Sequence, residues 1–169
     1  MATVTFITGG ARSGKSSFAQ QLAEQRSGRP VYLATARIMD ADFARRVERH
    51  RADRGPQWET VEQGKWLSTV VPEGRTVVVD CLTLWLTNFF FDLEQDVDKT
   101  LEQARTEWTA LLEKKADLIV VSNELGMGVH PENELARKFA DVQGWMNQYV
   151  ARRAGEVYLM VSGIAVKIK

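Results

Sequence analysis

Val4-Thr5-Phe6-Ile7-Thr8-Gly9-Gly10-Ala11-Arg12-Ser13-Gly14-Lys15-Ser16 is the stretch whose reading decides the fold. Val4 to Ile7 is a short β-branched and apolar run that reads as a strand. Gly9 to Ser16 fits GxxxxGK[ST], and Ser16 to Gln25 has helical spacing, with Phe18, Ala19, Leu22 and Ala23 on one face and Gly28 as the stop. Strand, glycine loop, helix is the context this motif requires. The glycines let the backbone wrap a phosphate so that several N–H groups point inward, and the helix N-terminus adds partial positive charge. Lys15 supplies a point charge to β- and γ-phosphates, and the Ser16 hydroxyl takes one position on Mg²⁺. An ordinary glycine-rich strand–helix turn is the bland alternative.

Outward from this stretch the chain alternates between strand and helix. Val31-Tyr32-Leu33-Ala34 predicts a second strand. Ala41 to Arg54 predicts a helix ended by Gly55-Pro56, and Trp58 to Val61 a short strand. Val77-Val78-Val79 and Leu118-Ile119-Val120-Val121 predict buried strands, with a helical region from about Leu82 to Lys115 between them. Within it, Trp85, Leu86, Phe89, Phe90 and Phe91 form an apolar surplus that suits either an interface or a wholly buried helix. Pro131 suits the first position of a helix carrying the stripe Leu135, Phe139, Val142, Met146 and Tyr149. Val157–Val161 and Ile164–Ile168, separated by Ser162-Gly163, predict a hairpin. Continuous apolar strands separated by helices predict an α/β fold, a mostly parallel sheet covered on both faces with an antiparallel hairpin at one edge.

Composition bounds the rest. A chain of 169 residues, 44% hydrophobic and 26% charged, suits one domain spanning residues 1–169. Its 22 basic and 22 acidic residues cancel, which argues against a nucleic-acid partner. No apolar run is long enough for a membrane span. The single cysteine, Cys81, leaves no internal disulfide, no signal peptide is visible, and the expected location is cytoplasmic. Yet residues 1–54 hold ten Lys/Arg against five Asp/Glu, six of them between Arg37 and Arg54. That excess fits either a solvated helix face or an anionic ligand.

Two acids compete for the metal side of the site. Thr76-Val77-Val78-Val79-Asp80 and Leu118-Ile119-Val120-Val121-Ser122-Asn123-Glu124 each end an apolar run with a carboxylate. Asp80 is favoured as the metal-side acid and Glu124 kept as a base or outer group, a helix cap being the alternative for either. His50 lies one helical turn from both Arg46 and Arg54. Two guanidiniums favour a neutral imidazole, which can attack phosphorus. Phe43 and Val47 share the same spacing, so a packed core histidine stays open. His130, before Pro131, reads as a loop residue.

The loop Thr8–Ser16 does not stand alone. With it come Ala34-Thr35-Ala36, the Arg46/His50-Arg51/Arg54 cluster, Trp58-Glu59-Thr60-Val61-Glu62, Asp80-Cys81-Leu82-Thr83, Asn123-Glu124-Leu125-Gly126-Met127-Gly128 and the closing Val161-Ser162-Gly163-Ile164-Ala165-Val166-Lys167-Ile168-Lys169. In this order they closely resemble the bifunctional adenosylcobinamide kinase/adenosylcobinamide-phosphate guanylyltransferase family. The resemblance implies a RecA-like nucleotide-binding domain that assembles as a homotrimer and acts late in cobalamin biosynthesis. It implies phosphorylation of adenosylcobinamide by ATP or GTP, then GMP transfer from GTP to adenosylcobinamide phosphate through a guanylylated histidine, for which His50 is the matching residue. By matching segment, Gly9, Gly10, Ala11, Arg12, Ser13, Gly14, Lys15 and Ser16 would bind phosphates, with Ser16 and Asp80 on Mg²⁺. Ala34, Thr35, Ala36, Arg51, Ala52, Asp53 and Arg54 would line the nucleotide, and Glu62 and Leu84 would lie on its guanosine side. Lys15 and His50 are the expected catalytic residues. A kinase-only enzyme, with His50 reduced to packing, and a nucleotide-driven switch are the rival readings.

Overall fold

The computed structural model describes residues 1–37 and 54–169. Its strands are β1 (Thr3–Gly9), β2 (Val31–Ala34), β3 (Glu59–Glu62), β4 (Thr76–Asp80), β5 (Asp117–Val121), β6 (Glu156–Val161) and β7 (Ile164–Lys167). Its helices are α1 (Lys15–Arg26), α2 (Leu82–Asp92), α3 (Val97–Leu112) and α4 (Glu134–Arg153). The strands form one seven-stranded sheet in the order β3-β2-β4-β5-β1-β6-β7. Neighbours run parallel except for the antiparallel β6–β7 hairpin at one edge.

The period of two along each strand divides the core. Val4, Phe6, Val31, Leu33, Val77, Val79, Leu118 and Val120 face the side covered by α2, α3 and α4. Ile7, Tyr32, Ala34, Val78, Ile119 and Val121 face the side covered by α1, which packs through Ala19 and Ala23. Burial on both faces explains why the strands read as continuous apolar runs rather than alternating ones. This is the expected α/β architecture.

Differences from the expected elements are local. The helical region expected over residues 82–115 is two helices, broken where Glu94 and Gln95 take positive φ angles of 55° and 65°. Asp96 then caps α3 by accepting from the Lys99 N–H at 2.9 Å. A strong N-cap restarts the helix where no glycine or proline marks the break. Pro131 is not the first residue of α4. Asn133 accepts from the Ala136 N–H at 2.7 Å, and this side-chain cap moves the start to Glu134. The helix expected over 41–54 lies outside the described residues apart from Arg54, which sits in a bend.

The aromatic helix is a core element. Trp85, Leu86, Phe89 and Phe90 are fully buried, and only Phe91, 51% exposed, stays outside. Trp85 donates its indole N–H to the Lys65 carbonyl at 2.7 Å, so its one polar group is satisfied where it is buried. Its ring and that of Trp66 meet Phe89 edge-on. Four of the five large apolar residues noted in the sequence therefore pack in the core, and Phe91 is the one that stays exposed. Accordingly, Phe89→Ala is expected to cost about 3–5 kcal/mol in urea denaturation, whereas Phe91→Ala costs less than about 1 kcal/mol. Equal losses at both positions would contradict this packing.

Candidate nucleotide site

Three strands set the site. Parallel register puts Ile7 of β1 beside Val121 of β5, and Val121 beside Asp80 of β4, so β4 and β5 end level while β1 runs two residues further, to Gly9. Ligands bind at this end of open α/β sheets. The chain leaves β1 through Gly9 and enters α1 at Lys15.

Backbone geometry makes the loop. Gly9, Arg12 and Gly14 have φ of 152°, 57° and 93°, in the region that favours glycine. A Cβ on Gly9 would lie 2.7 Å from the Met160 carbonyl and 2.9 Å from the Ser13 hydroxyl. The hairpin turn Ser162-Gly163 closes on the loop from β6 and β7, with the Gly163 N–H donating to the Ser13 carbonyl at 3.0 Å. A Cβ on Gly14 would come within 3.3 Å of Gly163. The loop thus fits against the last strand pair with no room for a side chain at Gly9.

Inside this frame lies a cavity of about 640 Å³, lined by Ala11 to Ser17, by Asp80 and Cys81, and by Val121 and Asn123. Lys15 is 7% exposed and donates to the Gly10 carbonyl of its own loop. Burial pushes its ammonium pKa down, while Cys81 and the Asp80 carboxylate pull it back up. The Thr8 and Ser13 hydroxyls are buried and have no hydrogen-bond partner among the described residues. Buried hydroxyls cost stability unless they are paired. On the cavity itself, the buried Lys15 ammonium beside the Ser16 hydroxyl, the loop backbone and the start of α1 describes a cradle suited to an anion with several acceptor oxygens.

Asp80 borders the same cavity and accepts from the Tyr32 hydroxyl at 2.8 Å. The Arg54 guanidinium stacks 3.7 Å from the centre of the Tyr32 ring and reaches Thr60 at 3.4 Å. Thr35 is fully buried as a brace: it donates to the Cys81 carbonyl at 2.7 Å and accepts from the Cys81 N–H at 2.8 Å. Cys81 is itself buried beside Asp80, and its thiol is pushed up to about 12 chiefly by that burial. Glu124 approaches the loop through its backbone, its N–H donating to the Gly9 carbonyl at 3.0 Å. Of the two competing acids, Asp80 lines the cavity and Glu124 does not.

The residues expected from the sequence fall into three groups. Ala11 to Ser16 and Asp80 meet around one cavity, with Gly9 and Gly10 framing it. Ala34, Thr35, Ala36, Glu62 and Leu84 stand outside its lining: Ala34 is core, Glu62 is exposed at the end of β3, and Leu84 donates its N–H to the Cys81 sulfur in the first turn of α2. His50, Arg46, Arg51, Ala52 and Asp53 lie outside the described residues. Sequence reasoning missed Tyr32 and Asn123. Tyr32 sits in an apolar run that reads only as strand, and Asn123 was visible only as part of a longer motif.

Hard oxygen donors fit Mg²⁺. Ser16 and Asp80 offer a hydroxyl and a carboxylate on one cavity, and among the described residues no cluster of three His, Cys, Asp or Glu could cage a metal by itself. A magnesium ion held by one or two protein oxygens plus phosphates has this requirement.

Comparison with known proteins places this geometry in context. Residues 5–168 match the family described as cobinamide kinase / cobinamide phosphate guanyltransferase. The chain is 40% identical over 178 residues to the bifunctional adenosylcobalamin biosynthesis protein CobU of Escherichia coli, covering 96% of this chain and 98% of that one. It is 41% identical over 172 residues to the bifunctional adenosylcobalamin biosynthesis protein CobP of Pseudomonas aeruginosa, covering 96% and 95%. Among solved structures, the flagellar accessory protein FlaH of Methanocaldococcus jannaschii aligns with a TM-score of 0.49 at 15% identity, over 99% of this chain and 78% of that one.

The loop geometry generates a direct expectation. Gly9→Ala forces a Cβ against backbone in a conformation that L-residues avoid. It is expected to cost about 1–3 kcal/mol in thermal or urea unfolding and to weaken binding of a fluorescent triphosphate at least tenfold. Gly28→Ala, where a Cβ meets nothing within 4 Å, is the control that leaves binding unaltered.

Proposed function

The chain belongs to the cobinamide kinase / cobinamide phosphate guanyltransferase family of adenosylcobalamin biosynthesis, and from that premise we propose that it phosphorylates the aminopropanol arm of adenosylcobinamide with ATP or GTP and then transfers GMP from GTP to the product through a guanylylated His50. The observation that carries the kinase half is the cradle. A buried lysine donates to its own loop on a cavity it shares with the Ser16 hydroxyl and the Asp80 carboxylate at one sheet edge.

In this reading Lys15 leaves the Gly10 carbonyl for the β- and γ-phosphates, an exchange of a neutral acceptor for an anion that strengthens the bond. Loop N–H groups and the start of α1 hold the phosphate chain. Ser16 and Asp80 are the residues that would hold Mg²⁺, whose charge offsets that of the phosphates. Tyr32 fixes one Asp80 oxygen and leaves the other to the cavity. The hydroxyl oxygen of the aminopropanol arm forms a bond to the γ-phosphorus, the bond from phosphorus to the bridging oxygen breaks, and nucleoside diphosphate leaves.

For the second step, an imidazole nitrogen of His50 bonds to the α-phosphorus of GTP and pyrophosphate departs. A phosphate oxygen of adenosylcobinamide phosphate then displaces the imidazole, giving adenosylcobinamide-GDP. A neutral imidazole is the nucleophilic form this step requires. Glu62 and Leu84 bind on the guanosine side, and Ala34 to Ala36 with Arg51 to Arg54 border the nucleotide. The working unit is one domain spanning residues 1–169, in a cytoplasmic homotrimer. No described helix is long and apolar enough to cross a membrane.

Labelled GTP separates the two steps. Wild-type protein is expected to trap label from the α-phosphate and none from the γ-phosphate, as an acid-labile, alkali-stable adduct. His50→Ala loses this adduct while kinase turnover persists, and His130→Ala still forms it. Lys15→Ala lowers triphosphate binding and kinase turnover together by at least about 10²-fold. Uptake of α-label by His50→Ala at the wild-type rate would overturn the nucleophile, and near-normal kinase turnover in folded Lys15→Ala would overturn the phosphate loop.

A further inference from the structure

Strand β5 ends at Val121, level with Asp80 on one side and Ile7 on the other. The next residues leave the sheet between the strand that carries the acid and the strand that feeds the loop. Ser122 and Glu124 turn toward β1, their N–H groups donating to the carbonyls of Ile7 at 2.9 Å and Gly9 at 3.0 Å. Asn123, between them, turns the other way. Its N–H donates to the Thr83 hydroxyl at 3.1 Å, and its carbonyl accepts from the Asn147 amide at 3.0 Å. Both backbone groups are therefore occupied by side chains of two helices, α2 and α4. That leaves the carboxamide as the polar group of Asn123 to face the cavity it shares with Lys15, Ser16 and Asp80. It makes no hydrogen bond among the described residues.

The support for this one residue is costly. Asn147 is 6% exposed, and Ser122 and Gln143 are fully buried, on a face of α4 otherwise filled by Val142, Met146 and Val150. The Ser122 hydroxyl donates to the Asn147 side-chain oxygen at 2.7 Å, and the Gln143 amide donates to the same oxygen at 2.9 Å and to Ser122 at 2.8 Å. The side-chain oxygen of Gln143 is left buried without a partner. Buried amides hold their place only when bonded, and an apolar trio would fill this space at less desolvation cost. The network fixes the Asn147 amide so that it can donate to one carbonyl, that of Asn123.

We propose that Asn123 is a catalytic residue of the kinase step, its carboxamide N–H donating to the phosphoryl group during transfer, and that Thr83 and Asn147 are its positioning residues. The proposal rests on the kinase reading above. Negative charge spreads over the equatorial oxygens as the substrate hydroxyl bonds to the γ-phosphorus and the bridging oxygen leaves with its electron pair; the hydroxyl proton passes to solvent. A neutral, fixed donor stabilises that charge and is unchanged by the reaction. A further cation is not needed where Lys15 already stands, and a carboxylate in its place would repel the phosphate.

The test compares turnover with ground-state binding in the full chain. Asn123→Ala is expected to lower kinase kcat on adenosylcobinamide by about 10²–10³-fold, while the Kd of a fluorescent non-hydrolysable triphosphate shifts by less than about threefold. Asn123→Asp is expected to be at least as impaired. Thr83→Val, which removes the acceptor for the Asn123 N–H, lowers kcat about tenfold with KM held, and Thr83→Ser restores it. Asn147→Asp follows Thr83→Val if it folds; if it does not, the Thr83 pair alone decides positioning. A kcat for Asn123→Ala within about threefold of wild type overturns the proposal, as does a loss matched by equal weakening of triphosphate binding. Failure of wild-type protein to phosphorylate adenosylcobinamide would overturn the kinase reading itself, an outcome distinct from an active wild type beside an active Asn123→Ala.

Discussion

Strand register is the constraint on which the site depends. Ile7, Val121 and Asp80 share one row because β1, β5 and β4 pair in parallel register. A slip of one residue in either pairing would turn Asp80 to the opposite face and send the apolar faces of β4 and β5 to the wrong layer. The register is held by burial on both faces: Val77 to Val79 and Leu118 to Val121 are at most 1% exposed. The packing that stabilises the sheet thus also sets where the carboxylate stands relative to the loop. Fold and site share the same determinants.

What the sequence made legible follows from how local each feature is. The loop from Gly9 to Ser16 was readable because its chemistry is written in consecutive residues. Asp80 was readable because a carboxylate directly after a buried apolar run marks the end of a strand, where ligands bind in this fold class. The break at residues 93–96 was not, since Glu94 and Gln95 are poor markers for positive φ and the Asp96 cap competes with an otherwise continuous helix. The bond from Tyr32 to Asp80 spans 48 positions and the one from Asn88 to Thr35 spans 53, so no periodicity in one chain announces them. Thr35 illustrates the same distance: its clasp on the Cys81 backbone joins residues 46 positions apart and is written in no local pattern.

Electrostatics also joins distant parts of the chain. Arg37 donates both terminal N–H groups to Asp92 at 2.8 Å, and Lys65 reaches the same carboxylate at 2.9 Å. The bond from Arg37, then that from Lys65, holds the Asp92 carboxyl well below the usual carboxylate range. Exposed pairs of this kind add little to stability. Their effect is geometric: they tether the residue that follows β2 and Thr35 to the end of the buried aromatic helix. At the opposite end of the sheet, Arg26 ties α1 to β5 and β6 through Asp117 and Glu156.

The turn at Ser162-Gly163 lies about 150 positions after the loop it braces, at Ser13 and Gly14. During synthesis the motif emerges from the ribosome well before its buttress. Over the interval between the two, the nascent chain carries the loop's complete signature without the turn that packs on it. Closing that long loop carries an entropy cost that must be met before the Gly163 N–H can reach the Ser13 carbonyl. A fragment ending before Ser162 would carry every residue of the loop and lack the turn that packs on Ser13 and Gly14.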